Sequence, residues 1–238
     1  MTYTLLARCP LTGQVGIGIA TYSICVGLYC NGLRGNTGAV MTQAFVNQSN
    51  NPLALKLLAQ GFMPGHVLDE LKANDPYSEY RQIAVIDRVG RIAAYSGPKN
   101  RGWAGHKVGE GYVAMGNVLA GEHVVDAMAK AYEAATKLPF ERRLLAAIEA
   151  GRDAGGQAGN DGHLTERSAA VMVYGDYDHA ELDLRVDLHE TAVEELRRAF
   201  EEYELYRGYY KERSKNPKDA MPQFAFVETL AKKKEVAQ

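Results

Sequence analysis

The chain has 238 residues, a net charge of −2, 46% hydrophobic side chains and 24% charged ones. That is ample material for a core, and the near-neutral balance offers nothing in bulk to nucleic acid or an anionic membrane. No apolar run approaches the roughly 18 residues of a membrane helix, and the N-terminus lacks a basic, apolar and cleavable signal. The expectations are a cytoplasmic location and a small-molecule substrate, with no nucleic acid and no membrane as partner. Cys9, Cys25 and Cys30 are an odd set without CxxC spacing, so packing rather than disulfides or zinc is their expected role.

Residues 2–8 and 15–22 read as a hairpin across a turn at Pro10 to Gly13. Val15, Ile17, Ile19 and Thr21 share one face, and Gly16 and Gly18 lie on the other, which predicts close packing against that face. A loop covers residues 27–35, and 38–46 reads as a third, mostly buried strand. Pro52 opens a helix to Ala59 and Pro64 a second short one. A second hairpin follows over 80–87 and 91–96. Residues 97–107 read as a loop carrying Trp103, and 108–117 as a glycine-rich strand. Helices are predicted over 122–136 and 139–150. Residues 151–163, rich in Gly, Asp and Asn, read as a mobile loop. Strands over 168–174 and 180–188 precede a long helix over 190–213, and a polar tail follows from Lys215.

Hairpins exclude a purely parallel sheet, and strands rich in Val, Ile, Ala and Gly suggest burial on both faces. The predicted fold is α+β, a four-layer αββα sandwich of two mostly antiparallel sheets. No long linker divides the chain, so residues 1–213 read as a single domain and 214–238 as a C-terminal extension. The last helix and Phe224/Phe226 offer apolar surface, from which a homodimer or larger assembly is expected.

Chemistry is sparse in recognisable motifs. Gly151-Arg-Asp-Ala-Gly-Gly156 lacks the Lys-Ser/Thr of a phosphate-cradling loop, and no Gly-x-Ser-x-Gly elbow occurs. Asp183, Arg185, Asp187 and His189 share a strand face, where the interposed arginine favours salt bridges over a metal. No metal or other cofactor is expected. Thr2 stands directly behind Met1 at the head of the first strand. Methionine removal, usual before a small residue, would leave a hydroxyl nucleophile beside its own α-amine as base. An ordinary N-terminal strand is the bland alternative. Asn117, where a strand meets a helix, is a candidate oxyanion donor or simply a turn residue. His106 is a candidate pocket wall or acid–base group, and it leaves open a nucleophile at Ser23 or Cys25.

The segments Thr2 to Gly13, Gly38-Ala-Val-Met-Thr-Gln43, Trp103-Ala-Gly-His106, Gly116-Asn-Val-Leu-Ala-Gly121 and Asp183-Leu-Arg-Val-Asp187 resemble the domain of unknown function 1028 (DUF1028). This family is assigned to the N-terminal-nucleophile (Ntn) hydrolase superfamily, and the resemblance spans about residues 2 to 200. It implies an Ntn-hydrolase-like αββα sandwich and leaves the reaction unassigned. It points to Thr2 as nucleophile, with Asn117 in the Gly-Asn motif as the second catalytic candidate. Arg8, Thr21, Ser23, Thr42, Gln43, Trp103 and His106 are the substrate-binding candidates. The chain departs from the family pattern over 155–168 and at Lys99-Asn-Arg-Gly102, where substrate choice would change. A hydrolase of an amide or other C–N bond in a small metabolite is the leading expectation. The alternative is a non-catalytic Ntn-fold protein that binds a ligand or supports an assembly.

Overall fold

The computed structural model describes residues 1–159 and 162–236, with side chains described to residue 232. Two compact units emerge, Met1–Leu196 and Arg197–Gln238.

The first unit is the expected four-layer sandwich. Its large sheet has eight strands. They are β1 (Thr2–Arg8), β2 (Val15–Thr21), β7 (Trp103–Gly109), β8 (Tyr112–Leu119), β9 (Gln157–Gly159), β10 (Gly162–Leu164), β11 (Ser168–Tyr174) and β12 (Ala180–Val186). The order is β10-β9-β8-β1-β2-β11-β12, with β7 also on β8. The small sheet runs β3 (Asn31–Arg34), β4 (Gly38–Ala44), β5 (Arg81–Asp87) and β6 (Ile92–Ser96) in that order. Both sheets are antiparallel throughout.

Helices α2 (Asn50–Ala59) and α3 (Pro64–Ala73) cover the outer face of the small sheet, burying Leu58, Val67 and Leu71 against Val40, Ile83 and Val85. Helices α4 (Glu122–Ala134) and α5 (Phe140–Asp153) cover the large sheet. Here the two strand glycines have their reason. A Cβ on Gly18 would lie 2.7 Å from both Ile148 Cγ1 and the Leu144 carbonyl, and one on Gly16 would lie 2.8 Å from Leu144 Cδ1. Backbone approaches this close leave no room for a side chain, so α5 seats directly on β2.

Several elements differ from the sequence reading. A short helix α1 (Val26–Tyr29) and β3 occupy the stretch read as a loop. Strand β7 also forms where a loop was expected; as an edge strand with His106, Lys107 and Val108 exposed, it needs no apolar alternation. The loop read over 151–163 contributes the end of α5 and the β9–β10 pair, while its residues 160–161 lie outside the described residues.

Helix α6 (Ala192–Lys215) starts in the first unit. Within the second unit, the stretch read as a polar tail contains helix α7 (Gln223–Val236). Phe226 stacks on Tyr209 at 4.2 Å between ring centroids, and the Tyr209 hydroxyl donates to the Met221 carbonyl at 2.9 Å. Aromatic contacts therefore hold the two helical stretches of this unit together. Among the described residues no helix is long and apolar enough to cross a membrane.

Candidate active site

The layer between the sheets changes character along the strands. Leu6, Ile17, Ile19, Met41, Ala84, Ile86, Val113 and Met115 form its apolar part. Two residues further along the same faces come Thr4, Thr21, Gln43, Gln82 and Asn117, all buried, with Thr2 beyond Thr4. Strand pairing sets the level: Thr2 lies opposite Asn117, and Gln43 opposite Gln82. The Thr4 hydroxyl, donating to Gln43 Oε1 at 2.7 Å, joins the two sheets there.

The amides at this level have a forced orientation. Gln82 Nε2 donates to the Gly105 and Gly116 carbonyls at 2.9 and 2.8 Å. The opposite flip would set oxygen against oxygen. Gln82 Oε1 must then face donors, which are Gln43 Nε2 at 2.7 Å and Asn117 Nδ2 at 3.1 Å. Each of those nitrogens also approaches the Thr2 carbonyl at 3.4 Å. Two buried amides thus converge on one backbone oxygen, with Gln82 accepting from both, and hold the head of β1 from the small sheet and from β8. Val118, next to Asn117, has φ 56°, a left-handed conformation costly for a β-branched residue. The β7–β8 register shifts at that kink, before Leu119 pairs with Trp103 and Gln157.

The hydroxyls of Thr2 and Thr21 lie 3.3 Å apart, and both donate to the Met1 carbonyl. Thr21 Oγ1 also accepts from the Ser23 amide at 3.2 Å. A carbonyl oxygen therefore sits between two hydroxyl donors at the head of β1. Burial lowers the pKa of the Met1 amine from its ordinary 8.0, opposed by the neighbouring Cys30. Cys30 itself is pushed up to about 12 by burial, so its thiol stays neutral.

The sequence candidates divide. Thr2, Thr21, Gln43 and Asn117 come together as described. Both directed contacts of the Asn117 amide point inward, to Thr2 and Gln82, which is a positioning geometry. The turn expected at Asn117 lies one residue later, at Val118. Ser23 is adjacent to the cluster, its carbonyl accepting from Ser168 Oγ at 2.8 Å. Arg8 lies at the far end of β1, with Nε donating to the Arg88 carbonyl at 2.7 Å. Thr42 faces α2, accepting from Asn50 Nδ2 at 3.3 Å. Trp103 packs its indole over Gly105, where a Cβ would lie 2.6 Å from Cη2. The bond of the His106 ring goes to Ser96 Oγ, at 2.9 Å, and burial lowers the pKa of His106.

Gln82 and Ser96 were not foreseen, because a glutamine or serine within a strand carries no local signal of its partners. Alternation alone places Gln82 on the same face as Ala84 and Ile86 and opposite Ser96, but not which face meets the other sheet. On β12, Arg185 pairs with Asp183 at 3.5 Å, as its position between the carboxylates suggested. No group of three or more His, Cys, Asp or Glu able to hold a metal occurs among the described residues.

Two cavities flank this end of the sandwich. One of about 720 Å³ begins at Tyr22, directly after Thr21, and is lined also by Thr165, Arg167, Leu188, His189 and Glu190. Arg167 lies over the Tyr22 ring at 5.5 Å. The other, about 330 Å³, is lined by Phe45, Tyr77, Tyr80, Arg81 and Arg101, with Arg101 over the Phe45 ring at 5.2 Å. Each offers an aromatic wall and a cation close to the cluster.

The family model of DUF1028, a family of unknown function, matches residues 2–196. Among solved structures, SPO2555 from Silicibacter pomeroyi, itself described as DUF1028, is 30% identical; the match covers 84% of this chain and 85% of that one, with a TM-score of 0.76. Anbu (ancestral beta-subunit) from Yersinia bercovieri is 12% identical over 84% of this chain and 93% of that one, with a TM-score of 0.39. No curated protein matches the chain.

Proposed function

The chain belongs to the DUF1028 family, and from that premise we propose that it is an N-terminal-nucleophile hydrolase cleaving an amide or other C–N bond of a small metabolite. The observation that carries this reading is the carbonyl oxygen seated between the Thr2 and Thr21 hydroxyls at the head of β1. In the proposed enzyme Met1 is removed, and the Thr2 α-amine, whose ordinary pKa is about 8, becomes the base. Burial at this position favours the neutral amine, as it does for Met1. Thr2 Oγ1 attacks the substrate carbonyl while its proton passes to the α-amine. The resulting ammonium protonates the departing nitrogen as the C–N bond breaks, leaving an acyl ester on Thr2. Water, deprotonated by the same amine, then releases the acid.

In this scheme Thr21 Oγ1 is the oxyanion donor, since it already faces a carbonyl oxygen. Asn117 and Gln43 are positioning residues that fix Thr2 through its own carbonyl, and Gln82 orients both amides. Tyr22 and Arg167 on one side, and Phe45 and Arg101 on the other, are the substrate-binding groups. Ser23 borders the same opening.

Two measurements test the proposal. Intact mass of the purified protein should correspond to a chain starting at Thr2. Against a panel of small amides and cyclic imides, Thr2→Ala should abolish turnover while Thr2→Ser keeps a measurable part. Activity that survives Thr2→Ala, or an active chain that still begins with Met1, would sink the mechanism. Ligand-induced thermal stabilisation without any turnover would instead favour the ligand-binding alternative.

A further inference from the structure

Strand β6 is an edge of the small sheet, and β7 lies outside the main strand path of the large one. The two meet where Ser96 Oγ, at the end of β6, lies 2.9 Å from His106 Nδ1 on β7. The direction of this bond depends on which ring nitrogen of His106 carries the proton. Gln82 Nε2, whose orientation the Gly105 and Gly116 carbonyls enforce, also approaches Ser96 Oγ at 2.8 Å and can only donate. An amide nitrogen cannot accept, so the Ser96 hydrogen does not point to Gln82 and is available to His106 Nδ1. Burial of His106 favours the neutral ring, and the Nε2-protonated tautomer is the one whose Nδ1 accepts from Ser96.

The β5–β6 register adds a second feature. Asp87 N bonds the Arg91 carbonyl at 3.1 Å, and Gly97 N bonds the Arg81 carbonyl at 2.9 Å. Hydrogen-bonded pairs alternate with non-bonded ones, so the Gln82/Ser96 pair is of the non-bonded kind. The Ser96 backbone N–H therefore points away from β5, out of the open edge. A half-buried serine hydroxyl, a histidine ring nitrogen 2.9 Å from it and a backbone N–H beside that hydroxyl meet at one exposed edge.

We propose that Ser96 is a second nucleophile, with His106 as its general base, and that this dyad hydrolyses small carboxylic esters at the gap between β6 and β7. Ser96 Oγ attacks the ester carbonyl carbon as its hydrogen moves to His106 Nδ1. The oxyanion is met by the Ser96 N–H. The alkoxide departs with the proton from Nδ1, leaving acyl-Ser96. A water molecule then attacks the acyl carbon, passing its proton through Nδ1 back to Ser96 Oγ, and the acid leaves. Esters fit better than amides: no carboxylate is seen bonded to the His106 ring among the described residues, and an alkoxide demands less of the imidazolium than an amine.

The full-length protein treated with a fluorophosphonate should gain one label. Tryptic mapping should place it on Ser96 in the peptide Ile92–Lys99. His106→Gln, a change at an exposed side chain, should slow labelling and p-nitrophenyl acetate hydrolysis at least tenfold. Ser96→Ala should take no label there, and Ser96→Cys should keep the fold and accept an alkylating probe instead. A label on the peptide Thr2–Arg8 alone, no label at all, or labelling of Ser96 that is indifferent to His106→Gln would overturn the proposal. Because the label is mapped to a residue, failure of this dyad and failure of the Thr2 mechanism are read separately.

Discussion

The layer between the two sheets has two halves built from the same strands, and they obey different rules. In one, Leu6, Ile17, Met41, Ile86 and Met115 pack as any core does. In the other, Thr4, Thr21, Gln43, Gln82 and Asn117 occupy equivalent inward positions, equally buried. Apolar side chains would fill that second half at no desolvation cost, whereas each buried amide must find partners to avoid a penalty of about 1–3 kcal/mol. A fold selected for stability alone has no reason to change composition at the same level on five strands. The polar half makes physical sense as a device that fixes Thr2 and Thr21 in one geometry.

The largest expected effect separates the halves by activity. Thr21→Val keeps the branched shape of a buried side chain and removes the hydroxyl facing the Met1 carbonyl. Turnover of small amides should fall about 100-fold, the usual loss of one oxyanion donor. Stability should drop by only about 1 kcal/mol, for the partner lost by the Ser23 amide. Leu6→Ala should do the reverse. It creates a cavity costing about 2–5 kcal/mol in chemical denaturation and leaves turnover per folded molecule unchanged. If both variants lost stability and turnover together, the division between the halves would collapse.

Gln82→Met sharpens the comparison from within the network. It strips the Gly105 and Gly116 carbonyls and the amides of Gln43 and Asn117 of their shared partner. A loss of about 2–3 kcal/mol is expected. Adding Thr4→Val, Gln43→Met and Asn117→Leu to Gln82→Met should restore at least half of that loss in the same denaturation assay, because apolar groups then replace whole pairs. Turnover, lost with the network in Gln82→Met, should not return with stability. A fourfold variant less stable than Gln82→Met alone would mean that the amides serve stability after all.

The apolar half was largely legible in the sequence, because alternation and glycine placement are local signals. Val15, Ile17 and Ile19 announced a buried face, and Gly16 and Gly18 announced the approach of α5. The family motifs brought Thr2, Thr21, Gln43 and Asn117 forward as candidates, but they also put forward Arg8 and Thr42. Thr42 and Gln43 are neighbours on β4 and necessarily point to opposite faces; only the second sheet decides that Gln43 is the one inside. Arg8 shares a face with Thr2, but six residues of extended chain carry it to the other end. Gln82 and Ser96 escaped notice for the same reason, since their meaning lies in contacts with Gly105 and His106 across the gap between the sheets. Strand β7 was missed because an exposed edge need not alternate.

The smallest expected effect concerns acid, and it again distinguishes the halves. Asp75 is almost fully buried beside the polar end, with Arg81 Nε 2.9 Å from its carboxylate, while Arg81 Nη1 donates to the Phe45 carbonyl at 2.5 Å. Burial pushes the Asp75 carboxyl up, but the bonds from Arg81, Asn47 and the Tyr77 amide outweigh it and hold the pKa below the ordinary 3.8. A carboxylate with a lowered folded pKa stabilises fully above its unfolded value, and that contribution fades as pH falls through the folded one. Below about pH 4, wild-type stability should therefore decline, and Asp75→Asn should decline less steeply over the same window while starting from a lower value. Within the apolar cluster itself the Cys30 thiol, at about 12, stays neutral throughout. Hydrogen exchange at low pH should accordingly quicken first at the Ala44–Arg81 end of the β4–β5 ladder and last around Val40 and Val85. Uniform exchange along that ladder would show that acid does not distinguish the two ends.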